Sequence, residues 1–176
     1  MPIVKLSQQI NPHFYKVWTT NKPYVVCKGG RGSFKSSVIS IKLVTMMMKY
    51  IADGKTVNVV SIRENANHLR DSVYNQILWA MSVLHVDKEF RTKVSPLTIT
   101  HIKTGSTFYF YGADDPMKLK SNIVGNIIGV WFEEFANLKS VDVYDQALPT
   151  FIRQKPKFAD RVKVFCSYNP PRNPYS

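Results

Sequence analysis

Ten residues, Lys28-Gly29-Gly30-Arg31-Gly32-Ser33-Phe34-Lys35-Ser36-Ser37, separate a short apolar β run, Tyr24-Val25-Val26-Cys27, from an apolar stretch that begins at Val38. A strand that feeds a Gly-rich loop and then a helix narrows the possible folds sharply, because glycines let the backbone curl until successive N–H groups point to one place. From Gly29 to Ser36 the spacing is that of a phosphate-binding loop: glycine, four residues, glycine, lysine, hydroxyl residue. Phe34 stands where the second glycine belongs, so its side chain has to point away from a bound phosphate. A Gly-rich turn that merely opens a helix is the plain alternative, and the flanking strand and helix argue against it. In such a loop the amides and the positive end of the following helix face the same anion. Lys35 then reaches the β and γ phosphates and Ser36 offers its hydroxyl to Mg2+. The expected ligand is ATP with Mg2+, cradled by Gly29, Gly30, Arg31, Gly32, Ser33, Phe34, Lys35, Ser36 and Ser37.

The rest of the chain alternates strands and helices. On the helix after the loop, Lys42, Thr45, Lys49 and Asp53 form a narrow polar stripe on an otherwise apolar cylinder, and Gly54 ends it. Val57 to Ile62 reads as a buried parallel strand. Leu69, Val73, Ile77, Met81 and Leu84 recur every three or four residues and predict a helix from about Asn67 to Leu84, capped by Asn65 or Asn67. Leu97 to Ile102 and Ser106 to Tyr111 flank Lys103-Thr104-Gly105 as a β-hairpin. Asn126 to Phe132 is a strand, Ser140 to Arg153 a helix and Arg161 to Ser167 a last strand. The fold class is α/β: a mostly parallel sheet flanked by helices, with an added antiparallel hairpin.

Two further segments carry chemistry. Ile127 to Phe132 is an apolar strand that ends in Glu133-Glu134, the layout of a metal-holding and a water-activating carboxylate. Glu133 is the expected Mg2+ ligand with Ser36, and Glu134 the catalytic base. Neighbouring strand residues point to opposite faces, so both acids reach one site only if the chain bends at the strand's end. Val162 to Tyr168 is a strand that delivers Asn169 into a Pro-rich loop, where it is placed to sense the γ phosphate; a plain Asn-Pro turn is the competing reading.

Lys and Arg number 24 against 12 Asp and Glu, a net charge of +12, which favours a polyanionic partner. The longest apolar stretches fall short of the ~20 residues of a membrane span, and Met1 to Ile10 lacks the apolar block of a secretion signal. A reducing cytoplasm is expected, with Cys27 and Cys166 as buried thiols. His13, His68, His85 and His101 are too scattered for a zinc site. Tyr109 to Tyr111 are assigned to sheet packing rather than to base stacking. The chain reads as one domain, residues 1–176, and the loop Asn169 to Ser176 directly after a strand suggests truncation at its C-terminal end.

Lys28 to Ser37, Trp131 to Glu134, Leu148 to Arg153 and Ser167 to Pro171 together resemble the ATPase domain of phage terminase large subunits, in the branch from tailed phages of Gram-positive bacteria. The substituted position before the loop lysine and the Glu-Glu pair both belong to that branch. The resemblance implies a P-loop NTPase of the ASCE, RecA-like kind: a Mg2+-dependent ATP hydrolase that translocates double-stranded DNA into a procapsid. It implies a ring of large subunits on the portal protein, monomers in isolation, a small terminase subunit as partner, the host cell cytoplasm as setting, and no membrane. It also implies a nuclease domain that is absent from this chain, so no DNA cleavage is expected of it. Hydrolysis in such motors gains from a guanidinium near the γ phosphate. Arg31 is the cis candidate, Arg63 lies near the expected nucleotide edge and Arg153 is a candidate to face an adjoining subunit, with a surface salt bridge as the plain alternative for each. Gln8 to Tyr15 is the expected adenine side, and Lys118, Lys120 or Arg153 to Lys157 the expected DNA contacts. A helicase or recombination-type nucleic-acid-dependent ATPase is the alternative, since it shares the loop and the carboxylates.

Overall fold

Strands that read as continuous apolar runs belong in a sheet covered on both faces. The computed structural model describes residues 3–30, 33–114, 118, 124–135 and 138–170. Its strands are β1 (Tyr24–Lys28), β2 (Asn58–Arg63), β3 (Phe90–Val94), β4 (Leu97–His101), β5 (Thr107–Gly112), β6 (Ile127–Glu133) and β7 (Lys163–Tyr168). They form a single sheet in the order β1-β7-β6-β2-β5-β4-β3. The first five of that order run parallel, while β4 and β3 are added antiparallel at one side. The α-helices of the described residues are α1 (Tyr15–Thr19), α2 (Lys35–Ala52), α3 (Asn75–Val83) and α4 (Leu138–Ile152).

Alternation along the strands sorts the core into two layers. Val59, Phe108, Trp131 and Phe165 meet Ile39, Leu43 and Met47 of α2 and Ile77 and Met81 of α3 on one face. Val60, Ile62, Val130, Phe132 and Val164 meet Ala147, Leu148 and Phe151 of α4 on the other. The buried Trp131 indole donates to Ser167 Oγ at 3.0 Å, tying β6 to β7. No helix of the described residues is long and apolar enough to cross a membrane.

The structure departs from the sequence expectations in three places. The helix expected from Asn67 to Leu84 is broken into a 3-10 turn (Ala66–His68), a π-helical segment (Arg70–Tyr74) and α3. Leu69, Val73, Ile77 and Met81 recur at intervals of four, more than the 3.6 of an α-helix, and the wider π turn takes up the difference so that all four stay buried. Asn65 is the cap, accepting from Asn67 N at 2.9 Å. The expected hairpin is a three-stranded meander: β3 was unforeseen because four of its five residues are exposed, which removes the alternating signal of a half-buried strand. Cys166, expected to be buried, is only half-buried, whereas Cys27 is buried.

Gly112, at the end of β5, shows how closely the connections pack. A Cβ there would lie 2.1 Å from Asp114 Oδ1, 2.6 Å from Ala66 Cβ and 2.7 Å from Ala66 N. Asp114 in turn accepts from that same Ala66 N at 3.2 Å. Gly112→Ala is therefore expected to destabilise the domain by about 1–3 kcal/mol, the usual cost of overpacking. Thermal unfolding would register this as a fall in Tm of roughly 3–10 °C; an unchanged Tm would mean that the turn at Ala66 yields without cost.

Candidate nucleotide site

Because β1, β7, β6 and β2 are adjacent and parallel, the segments that follow them emerge side by side at one end of the sheet. The loop after β1 leads into α2, whose first residue, Lys35, is buried with 8% exposure. Lys35 Nζ turns back to donate to Gly29 O at 3.0 Å and to Asn169 Oδ1, just past β7, at 2.6 Å. Gly29 N donates to Tyr168 O at 3.3 Å, so the loops after the two strands are joined through both backbone and side chains. Pro12–Phe14, within the expected adenine side, is anchored by Asn11 accepting from His13 N, and the Phe14 ring lies against Gly29.

Phe34 adopts the left-handed backbone conformation, φ 63°, that glycine would supply without cost. The residue is 61% exposed. The conformation costs about 1–2 kcal/mol for a residue with a Cβ. Glu134 is left-handed as well, φ 58°, which bends the chain where β6 ends and swings its side chain round to the same side as that of Glu133. Both carboxylates converge on Arg63 at the end of β2: Glu133 at 3.3 Å and Glu134 at 2.8 Å. Arg63, a candidate γ-phosphate guanidinium in the sequence, has the two strand-end acids themselves as its ion-pair partners. Arg153, at the end of α4, adjoins the start of β6 through Gln154 O and so lies at the opposite end of the sheet from Glu133. Arg31, Gly32, Lys120 and Pro171 lie outside the described residues.

Burial lowers the Lys35 ammonium from its ordinary range, opposed by the negative charges of Glu133 and Glu134. Burial raises Glu133 to about 7; the Arg63 charge opposes this, Glu134 adds to it, and Lys35 opposes it. The sign for stability follows. A carboxyl whose folded value lies above its unfolded value of 4.5 contributes stability that is fully present below that value and lost as pH rises through 7, about 3 kcal/mol across the window. Glu133→Gln is expected to flatten that fall when metal-free protein is unfolded in denaturant between these pH values. A slope equal to that of the wild type would assign the titration to another group.

The residues fit a phosphate and a cation. A Cβ on Gly29 would come 2.6 Å from Ser33 Oγ and 3.1 Å from Ser33 Cβ, so any larger residue there would force the Ser33 side chain to shift. Ser33 Oγ is buried without a hydrogen-bond partner, and Glu133 Oε2, likewise buried and without a hydrogen bond, is held by the Arg63 charge at 3.3 Å. Among the described residues no group of three or more His, Cys, Asp or Glu could hold a metal ion. A Mg2+ here would depend on one carboxylate, a hydroxyl and phosphate oxygens, the sparse protein ligation usual for that ion.

Comparison with known proteins places the fold among phage packaging proteins. The large terminase subunit of Bacillus phage SPP1 is 33% identical over the whole chain, which spans 42% of that relative's length. The large terminase of a thermophilic bacteriophage superposes with a TM-score of 0.64 at 20% identity, covering 97% of this chain and 40% of that one; it has also been solved with ADP. The N-terminal domain of the DNA-packaging ATPase of bacteriophage phi29 superposes with a TM-score of 0.63 at 18% identity, over 96% of this chain and 84% of that one. The family model for phage terminase large subunits matches residues 21–176, and the chain therefore belongs to that family.

Proposed function

We propose that this domain binds ATP with Mg2+ in the loop after β1 and hydrolyses it to drive double-stranded DNA into a procapsid. The observation that supports this most is the Lys35 ammonium, bonded to Asn169 and within the field of Glu133 and Glu134. Groups from behind three neighbouring strands meet there, as positioning of a γ phosphate requires. The amides of Gly29 to Ser37 and the Lys35 ammonium hold the phosphates, and Ser36 with Glu133 holds the ion. Bound Mg2+ neutralises phosphate charge that would otherwise repel a nucleophile. Glu134 orients the attacking water and accepts its proton. Arg63 is a positioning residue that holds both glutamates, and Asn169 links the phosphate end of the site to β7 through Lys35. Arg31 supplies the cis guanidinium.

The partners in this reading are the portal protein, a small terminase subunit and further copies of this chain in a ring, in the host cytoplasm. Cleavage of DNA is not assigned to these residues. The test is ATP turnover with and without EDTA, followed by movement along unbroken duplex. Metal-dependent turnover that advances the protein without separating strands is expected; release of single strands in step with turnover would overturn the reading in favour of a helicase.

A further inference from the structure

The end of the sheet remote from Lys35 has chemistry of its own. Acids cluster where the strands finish, at Glu64, Asp114, Glu133 and Glu134, while lysines gather before the strands begin, at Lys22, Lys55, Lys155 and Lys157. The two ends are roughly 20 Å apart, the length of a six-residue strand. At the basic end a cavity of about 500 Å3 is bounded by Asn21, Lys49 and Tyr50 of α2, Asp160, Arg161 and Lys163.

Its charges do not balance. Among the described residues Asp160 is the one carboxylate on the wall, and it already pairs with Arg161 at 2.9 Å. Lys163, 9% exposed, donates to Thr20 O, and Lys42 beside it donates to Trp18 O. Those contacts anchor the end of α1 and the residue after it, which is a structural use for both lysines. Each carbonyl takes one N–H of its ammonium but carries no net charge, and buried cations are normally paired. Among the described residues no carboxylate lies within ion-pair distance of Lys42, Lys49 or Lys163. Burial and the neighbouring Lys42 push Lys163 down to about 8, as expected where positive potential is uncancelled.

We propose that this cavity takes backbone phosphates of duplex DNA, with Lys49 and Arg161 as the contacting cations, Asn21 as a neutral donor and the buried Lys163 adding positive potential behind them. The inference rests on the motor reading for its choice of polyanion. It places the DNA contact at the sheet end opposite the nucleotide loop, so that nucleotide and DNA are held by different ends of the same strands.

The test is binding of a labelled duplex of about 30 base pairs to the whole chain at a series of salt concentrations, without nucleotide. Each phosphate contact contributes about 0.9 to the salt slope. Lys49→Ala combined with Arg161→Ala is expected to flatten the slope by about 1.8. The variant's affinity should then fall about 12-fold less than that of the wild type between about 50 and about 200 mM salt. Lys49→Glu alone, at an exposed helix position, is expected to weaken binding in the same direction. Arg91→Ala with Lys93→Ala, a pair exposed on β3, serves as the control and is expected to change the slope by less than half as much. An unchanged slope in the cavity variants, or an equal change in the control, overturns the proposal. So does inorganic phosphate that binds in the cavity of the wild type but not of the variant while both bind duplex equally, since the site then serves free phosphate. Binding is read without turnover, so a chain that grips duplex through the cavity yet fails to hydrolyse ATP would count against the motor reading alone.

Discussion

Lys35→Ala is expected to weaken ATP binding by about 10- to 150-fold, the equivalent of one charge-assisted contact of about 1.5–3 kcal/mol. The lysine is the buried first residue of α2 and its ammonium is already oriented by Gly29 O and Asn169 Oδ1. Little conformational freedom remains to be lost when it meets a phosphate. Removing it also takes away a positive charge that counters the repulsion between Glu133 and Glu134. Titration with a fluorescent ATP analogue checks the result. An affinity within twofold of the wild type would remove the loop from the proposed site.

Glu134→Gln is expected to separate binding from chemistry. The amide is nearly the same size and can still accept from Arg63, so nucleotide affinity should stay close to that of the wild type. It cannot take a proton from water, and hydrolysis should fall by about 10²–10⁴-fold, the usual contribution of a general base. Glu134 is 45% exposed on its side chain against 13% for Glu133, which suits it to meet solvent-derived water while its neighbour stays buried. Single-turnover hydrolysis measured beside equilibrium binding distinguishes the two effects. Wild-type turnover in the variant would shift the role of base elsewhere.

Much of this site was legible in the sequence because its signals are local. The loop spacing from Gly29 to Ser36, the apolar run ending in Glu133-Glu134 and the strand leading to Asn169 each occupy a dozen residues or fewer. Short-range backbone geometry accounts for them: glycine where the chain curls, alternation along strands, a bend where two adjacent acids must turn the same way. Phe34 was readable as an intruder at a glycine position, and its left-handed backbone is the cost of that substitution. The terminase resemblance rested on these local segments together with Leu148 to Arg153, and the family match bears it out over the helicase alternative. The polar edge strand β3 and the π turn before α3 were not legible, since each depends on neighbours that local periodicity does not register.

Taken alone, the sequence determined an α/β chain with a phosphate-type loop, a strand-end acid pair and a strong excess of positive charge. Only the tertiary structure decided which distant residues became neighbours. Sheet order set β2 beside β6, so Arg63 met two glutamates some seventy positions away in the chain. The same order carried Lys35 to Asn169, and folding of α2 against the start of β7 gathered Lys49, Arg161 and Lys163 round one cavity. Residue spacing encodes what a segment does to itself. Pairing between strands is chosen by burial of whole faces, which is a property of the complete sheet.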